Sequence, residues 1–259
     1  MKPYILITND DGIQAPGLRA LWEALLDVAD TVVVAPADDQ SATGMSITLR
    51  TPISVEKHFW EKEVVWSVRG TPADTVKMAL SVLLERKPDM IVSGINNGSN
   101  AGRNILYSGT VSAVIEGTMR DIPGIAFSCH DHKEPDYALA TQHIPSMVRY
   151  MLDYPLPTGT LLNVTFPEKK LAPYKGIKLS RQGLGYWRDV PSPRKHSLEQ
   201  PYWRLGMEHA EYDEHEESDI AHLRQGYIST VPLFVKDLTH RPLFEERKQA
   251  FDHYFSIKN

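Results

Sequence analysis

Tyr4-Ile5-Leu6-Ile7-Thr8-Asn9-Asp10-Asp11-Gly12 decides the architecture of this chain. Its first five residues form a short unbroken apolar run, the pattern of a strand buried on both faces. The run stops at a polar turn. Beyond it Leu18, Leu21, Trp22, Leu25 and Leu26 recur at three- and four-residue intervals, which predicts a helix with one apolar side; Pro16 suits its first turn, where a missing N–H costs little. Thr31-Val32-Val33-Val34-Ala35 is the next strand, ended by Pro36. The unit is β-α-β, and general connection rules make it right-handed and parallel.

The alternation continues outward. Residues 48–69 carry β-rich material around the charged turn Glu61-Lys62-Glu63, a hairpin or small extension. Helices are expected over 73–85, 111–119 and 137–152, the last kinked or divided at Pro145. Strands are expected over 89–92, 125–127 and 161–166. Strands separated by helices give a three-layer α/β sandwich with a mostly parallel sheet. After Pro167 the pattern changes. Residues 168–259 read as an irregular C-terminal extension, with strand pieces near 176–179 and 228–230, able to lend a strand to the core, and a docked amphipathic terminal helix, set against a core of residues 1–167. Its acidic run, Glu208, Glu211, Asp213, Glu214, Glu216, Glu217 and Asp219, reads as a solvated face or loop. Tyr186, Trp187, Tyr202, Trp203 and Tyr227 are more aromatic surface than a loop needs, so the extension is expected to pack against a second subunit as a dimer or tetramer.

Composition bounds the partners. The chain has 259 residues, 28 Lys and Arg against 33 Asp and Glu, and a net charge of −5, which argues against a general nucleic-acid binder. A single cysteine, Cys129, allows no intrachain disulfide and fits a reducing compartment. No apolar run approaches the roughly 20 residues of a membrane helix. Met1-Lys2-Pro3 leads straight into the first strand, so a cytoplasmic protein without a signal peptide or membrane partner is expected.

Ligands of an open parallel sheet bind beyond the carboxyl ends of its strands. Polar residues collect at those places: Asn9, Asp10 and Asp11 after the first strand, Ser41, Thr43 and Gly44 after the second, and 93–110 after the strand at 89–92. Adjacent Asp10 and Asp11, if buried, need a cation or a shared proton. Oxygen donors of Asp, Asn and Ser suit Mg²⁺ or Mn²⁺. Alone, the pair reads rather as a cap on the following helix. The third loop shifts that balance, because Gly94, Gly98, Gly102, Asn96, Asn97 and Asn100 permit unusual backbone and offer amide oxygens and N–H groups. Ser108-Gly109-Thr110 at a helix start presents free N–H groups and two hydroxyls to a phosphate. A metal-plus-phosphate site explains the features jointly. Neither a G-x-G-x-x-G fingerprint, a phosphate-binding G-x-x-x-x-G-K-[ST], nor a G-x-S-x-G elbow occurs. His130-Asp131-His132 reads as a loop, His209 and His215 lack ligand spacing, and Cys129 reads as a small core residue.

Ile7-Thr8-Asn9-Asp10-Asp11-Gly12 with Ala15-Pro16-Gly17 resembles the opening of the SurE family. The resemblance continues in order through Val34-Ala35-Pro36, Gln40-Ser41-Ala42-Thr43-Gly44, Gly70-Thr71-Pro72-Ala73-Asp74, Ser93-Gly94-Ile95-Asn96, Tyr107-Ser108-Gly109-Thr110-Val111, Glu116-Gly117, Ser218-Asp219 and Gly226-Tyr227-Ile228-Ser229 with Pro232-Leu233. It implies a Rossmann-like core and a metal-dependent phosphatase of nucleoside monophosphates, a 5′/3′-nucleotidase, assembled as a homodimer or homotetramer. It places metal ligands on Asp10, Asp11, Ser41 and Asn96, and phosphate-side residues on Asn9, Asn100, Ser108, Gly109 and Thr110. Asp10 is the expected firm ligand, and Asp11 the residue that also positions or deprotonates the attacking water; the resemblance favours this direct attack over a phospho-aspartate path with Asp10 or Asp11 as nucleophile. The sequence departs from the family at Ala101-Gly102-Arg103-Asn104, where many members carry Asp in place of Asn104 and no preceding Arg. Two rivals stand beside this reading: a phosphatase of another substrate such as short polyphosphate, and a non-catalytic nucleotide-binding protein.

Overall fold

The computed structural model describes residues 2–170, 172–194, 202–210 and 212–256. Glu211 of the acidic run lies outside them. The first strand, β1 (Tyr4–Thr8), sends alternate side chains to opposite sides: Ile5 and Ile7 enter one core, Leu6 another. That two-sided burial is why its sequence shows no polar alternation. Helix α1 (Pro16–Leu25) turns Leu18, Leu21, Trp22 and Leu25 onto the first core and leads to β2 (Asp30–Pro36). Strands β3 (Val55–Trp60) and β4 (Glu63–Val68) form the expected hairpin around the charged turn.

Helix α2 (Pro72–Met78) begins with a capping box in which Thr71 and Asp74 satisfy each other's backbone N–H. Its continuation, Ala79–Leu83, is a π-helical turn, so the sequence period through Leu84 is helical without being one α-helix. Strand β5 (Met90–Asn97) runs five residues further than its apolar stretch. A 3₁₀ turn (Gly102–Leu106) precedes α3 (Gly109–Thr118); β6 (Gly124–Cys129), α4 (Tyr137–Asp153) and β7 (Thr160–Phe166) follow. Pro145 lies inside α4 and does not divide it.

Beyond β7 the chain forms β8 (Gly176–Leu179), the hairpin β9 (Tyr186–Arg194) and β10 (Tyr202–Ala210), α5 (Asp219–Arg224), β11 (Tyr227–Phe234) and α6 (Arg241–Ser256). Among the described residues the main sheet has nine strands in the order β3-β4-β2-β1-β5-β6-β7-β11-β8. It is parallel except at β3/β4 and β7/β11. Two strands of the extension thus complete the sheet, while β9 and β10 pair only with each other. Helices α1 and α4 pack together over one face, α2 and α3 over the other. Helix α6 has no buried residue; it does not dock on its own chain as the amphipathic pattern led one to expect.

The sheet order reverses between β1 and β5. From β1 the chain crosses by α1 to β2 on one side; from β5 it crosses by α3 to β6 on the other. Loops leaving the carboxyl ends of β1 and β5 therefore diverge and open a crevice between them.

Candidate active site

Asn9, Asp10 and Asp11 leave β1 at this crevice. Asn9 is buried and donates through Nδ2 to the Gly12 carbonyl at 3.0 Å, whereas its Oδ1 has no hydrogen-bond partner. Asp10 is 4% exposed, and its Oδ1 accepts from the Thr110 hydroxyl at 2.7 Å. Burial pushes its carboxyl up to about 7; the Thr110 bond opposes that rise, and the Asp11 charge adds to it. Asp11 is half-buried, and its Oδ2 accepts from the Asn97 N–H at 3.1 Å. Burial raises its pKa too, opposed by the Asn97 bond and reinforced by the charge of Asp39.

The start of α3 closes the other wall. Ser108 caps the helix, its Oγ accepting from the Val111 N–H at 3.1 Å, and Thr110 points its hydroxyl at Asp10. Gly109 is required there: a Cβ would stand 2.7 Å from the Asp10 Cβ, 2.8 Å from its Oδ2 and 3.0 Å from Pro72. Side-chain-free backbone lets the positive end of α3 lie directly against the carboxylate.

The end of β5 supplies the amides. The β5/β6 register shifts between Ser93 and Asn96, a bulge that re-aims the strand end. Asn96 donates from Nδ2 to the Gly98 carbonyl at 2.8 Å and to Asn100 Oδ1 at 3.4 Å, which leaves its own carbonyl oxygen as the atom able to ligate a cation. Asn100 is 4% exposed, and its Nδ2, a buried donor, has no partner within the protein.

The structure brings Asn9, Asp10, Asp11, Asn96, Asn100 and the 108–110 turn to one crevice. Ser41 differs. Its loop docks on the site through the Gln40 N–H, which donates to the Asp10 carbonyl at 2.8 Å, but the exposed Ser41 hydroxyl donates to Asp39 Oδ1 at 2.6 Å. Asp39, a neighbour of Asp11 by charge, is not among the residues expected from sequence, although it immediately precedes the Gln40–Gly44 block. The buried hydroxyls of Thr8, at the end of β1, and Ser93, inside β5, have no hydrogen-bond partner within the protein. Cys129 is a buried core residue whose thiol burial pushes up to about 12, and Asp131 folds its loop by accepting from the Lys133 and Glu134 N–H groups.

Among the described residues no three His, Cys, Asp or Glu side chains gather to hold a metal. The donor set is instead two carboxylates with amide and hydroxyl oxygens. Those are hard ligands, suited to a cation that keeps several waters, and a cation would offset the burial of Asp10 beside Asp11 and Asp39. The residues present fit such an ion.

The model of the family described as "Survival protein SurE" matches residues 5–189. The "5′-nucleotidase SurE" of Protochlamydia amoebophila is 51% identical over 256 residues, covering 98% of each chain. This chain belongs to the SurE family. A second SurE relative, the "5′-nucleotidase SurE" of Christiangramia forsetii, is 39% identical over 252 residues, 92% of this chain and 96% of the relative. The crystal structure of the SurE protein from Aquifex aeolicus superimposes with a TM-score of 0.79 at 34% identity, over 96% of this chain and 99% of that one. The SurE architecture, a Rossmann-like α/β sheet with a β-rich C-terminal extension, is therefore the architecture of this protein.

Proposed function

We propose that this chain is a metal-dependent phosphomonoesterase that hydrolyses nucleoside 5′-monophosphates, and 3′-monophosphates with them, to nucleoside and phosphate. The observation that carries this reading is the Asp10 carboxylate, nearly fully buried, held by Thr110 and pressed against the start of α3. An anion-binding helix end and a cation-seeking carboxylate pair in one crevice fit a phosphate ester bound through a divalent ion. The name "5′-nucleotidase" carried by the relatives supports the substrate class.

Asp10, Asp11 and the Asn96 carbonyl would hold Mg²⁺ or Mn²⁺, with Ser41 joining after its hydroxyl turns from Asp39. Bound there, the ion offsets the anionic charge of the ester and lowers the pKa of a water. Asp11, with a raised pKa and one oxygen anchored by Asn97, is placed to orient that water and take its proton. Asn100 Nδ2, the second Nδ2 hydrogen of Asn9, the Ser108 hydroxyl and the N–H groups of Gly109 and Thr110 hold the phosphoryl oxygens, and these bonds strengthen as charge moves onto them. Exhaustive chelation should abolish turnover on AMP, and Mg²⁺ or Mn²⁺ should restore it. Full activity in chelator would overturn the metal reading. Rates on AMP, GMP, 3′-AMP and short polyphosphate under both metals separate nucleotide from polyphosphate hydrolysis, and tight AMP binding without phosphate release would favour a non-catalytic protein.

Ser108→Ala should raise the Ki of inorganic phosphate roughly five- to tenfold, about the value of one hydrogen bond, and Thr110→Ala, which frees the Asp10 carboxylate to repel the anion, should raise it as well. In metal-free protein Thr110→Ala should also steepen the loss of stability with rising pH, because the Thr110 bond is what opposes the burial-driven rise of Asp10. Unchanged phosphate inhibition in both folded variants would place the anion elsewhere.

The assembly proposed is a homodimer or homotetramer. Helix α6 exposes Leu243, Phe244, Phe251, Tyr254 and Phe255 and buries none of its residues in its own chain. An open groove of about 1110 Å³ between α3 and β11, lined by Ile115, Met119, Val231, Leu233 and Leu238, is a fitting seat for the helix of a second copy. No helix among the described residues is long and apolar enough to cross a membrane. The lone buried thiol suits the cytoplasm, where we place the enzyme.

A further inference from the structure

We propose that Asp219, in the C-terminal extension, is a positioning residue for the phosphate-side loop: its carboxylate holds Gly102 and thereby fixes where Asn100 presents its amide. The inference rests on the reading of Asn100 as a phosphate contact.

Asp219 stands in an acidic run that looks solvated in sequence, yet it is 1% exposed. Its Oδ2 accepts from the Gly102 N–H at 2.8 Å across 117 positions of chain, and its Oδ1 accepts from the N–H groups of Gly183 and Ile220, each at 2.8 Å. One buried carboxylate thus joins three segments by charge-assisted bonds. Neighbouring contacts reinforce the same joint. Gln182 donates to the Gly102 carbonyl at 3.1 Å, the Arg103 N–H donates to the Gly185 carbonyl at 2.9 Å, and the Trp187 N–H donates to Asn104 Oδ1 at 2.9 Å. Ala101, Ile220 and Leu223 form a small apolar plug beside it. The opposing segment is itself pinned, since Glu214 accepts from the N–H groups of Leu184 and Gly185.

Asn100 is therefore held from both directions. On the sheet side its N–H donates to Ser128 Oγ at 3.3 Å, and its carbonyl accepts from Asn163 Nδ2 at 2.9 Å. On the other side, two residues along, Gly102 is fixed by Asp219; its φ of +64° and its approach to the Gly185 carbonyl admit only glycine. What the joint leaves unpartnered is the Asn100 Nδ2, the donor through which this residue could meet a phosphate. The extension is thus part of the site's construction, through a residue that touches no substrate.

The test is a double-mutant cycle on the full-length protein with Mn²⁺ present, read as the Ki of inorganic phosphate. Asp219→Asn keeps the shape but turns an amide N–H₂ toward N–H donors, and should raise Ki roughly tenfold, the scale of a displaced positioning group. Asn100→Ala should raise it comparably. The double variant should be no worse than Asn100→Ala alone, whereas Asp219→Asn combined with Ser108→Ala, on the other wall, should multiply. A general loss of structure would not single out Asn100 in this way. An unchanged Ki in Asp219→Asn, or effects that multiply with Asn100→Ala, overturns the proposal while leaving the phosphate site standing. An unchanged Ki in Asn100→Ala overturns the reading of the site and this role with it. Should Asp219→Asn not fold, Gln182→Ala removes a surface contact of the same joint; it should raise Ki about threefold and again add nothing to Asn100→Ala, and no rise, or a multiplied one, counts against the proposal.

Discussion

Asp10→Asn is expected to lower turnover on AMP at least ~100-fold and, in metal-free protein at pH 8, to raise the melting temperature. The first effect follows from removing anionic charge where a cation must bind. The second follows from what that charge costs when no cation is there. Asp10 is 4% exposed, and burial pushes its pKa from 3.8 up to about 7. Below pH ~4 the carboxyl is neutral in both folded and unfolded chains, and the cost is absent. Between 3.8 and about 7 the unfolded chain gives up the proton first, so stability falls as pH rises. Above about 7 the full penalty stands, on the order of 4 kcal/mol. Asn is neutral throughout, and its Oδ1 can accept the same Thr110 hydroxyl. Thermal melts in chelator should show the wild type losing stability from pH 5 to 8 and Asp10→Asn losing less, a gap on the order of 10 °C at pH 8. Mn²⁺ should stabilise the wild type and leave the variant unchanged. Near-normal turnover in Asp10→Asn under the same metal would sink the ligand role, and equal pH slopes would sink the electrostatic account.

The same residue shows why part of this molecule can be read from its sequence. Tyr4–Thr8 is apolar throughout because alternate side chains feed two cores, and a polar pair just after such a strand has few places to go but the crevice at its end. Ser108-Gly109-Thr110 was legible for a similar local reason, as a helix start at a strand-end loop. What stayed hidden depends on distance along the chain. The Ser218-Asp219 block set Asp219 apart from Glu216 and Glu217 by resemblance alone, and only the fold brings it to Gly102. Glu214 likewise meets Leu184 and Gly185 only through the fold, so the acidic run is not simply a solvated loop. The placement of β11 between β7 and β8 was equally out of reach, since its partners are set by tertiary pairing. For α6 the amphipathic pattern was visible, but a pattern names a face without naming what covers it.

That last distinction yields two truncations with opposite outcomes. A chain ending at Leu238 loses only α6, which buries nothing in its own chain. It should fold, with a circular dichroism spectrum reduced by one helix and a melting temperature within a few degrees of the full chain measured as monomer. A chain ending at Pro167 should not fold. It loses β11, whose residues 229–234 pair antiparallel with 160–165 of β7, and it loses the Asp219 joint. It also loses Ile220, Leu223, Ile228 and Val231, all within 5% exposure. At about 1.5–3 kcal/mol for each buried side chain, those four alone approach the roughly 5–15 kcal/mol that holds a domain together. The bare edge of β7, left unpaired, would also invite aggregation. Strands β8 and β11 and helix α5 are therefore bound into the core, and α6, with Leu243, Phe244, Phe251, Tyr254 and Phe255 each 47–62% exposed, is free to serve a partner. Light scattering at micromolar concentration should give an oligomer for the full chain and a monomer for the chain ending at Leu238. A monomeric full chain would remove the assembly altogether. An oligomer that survives loss of α6 would shift the contact to the β9–β10 hairpin, whose nine paired positions stand apart from the main sheet and carry the exposed Trp187 and Trp203.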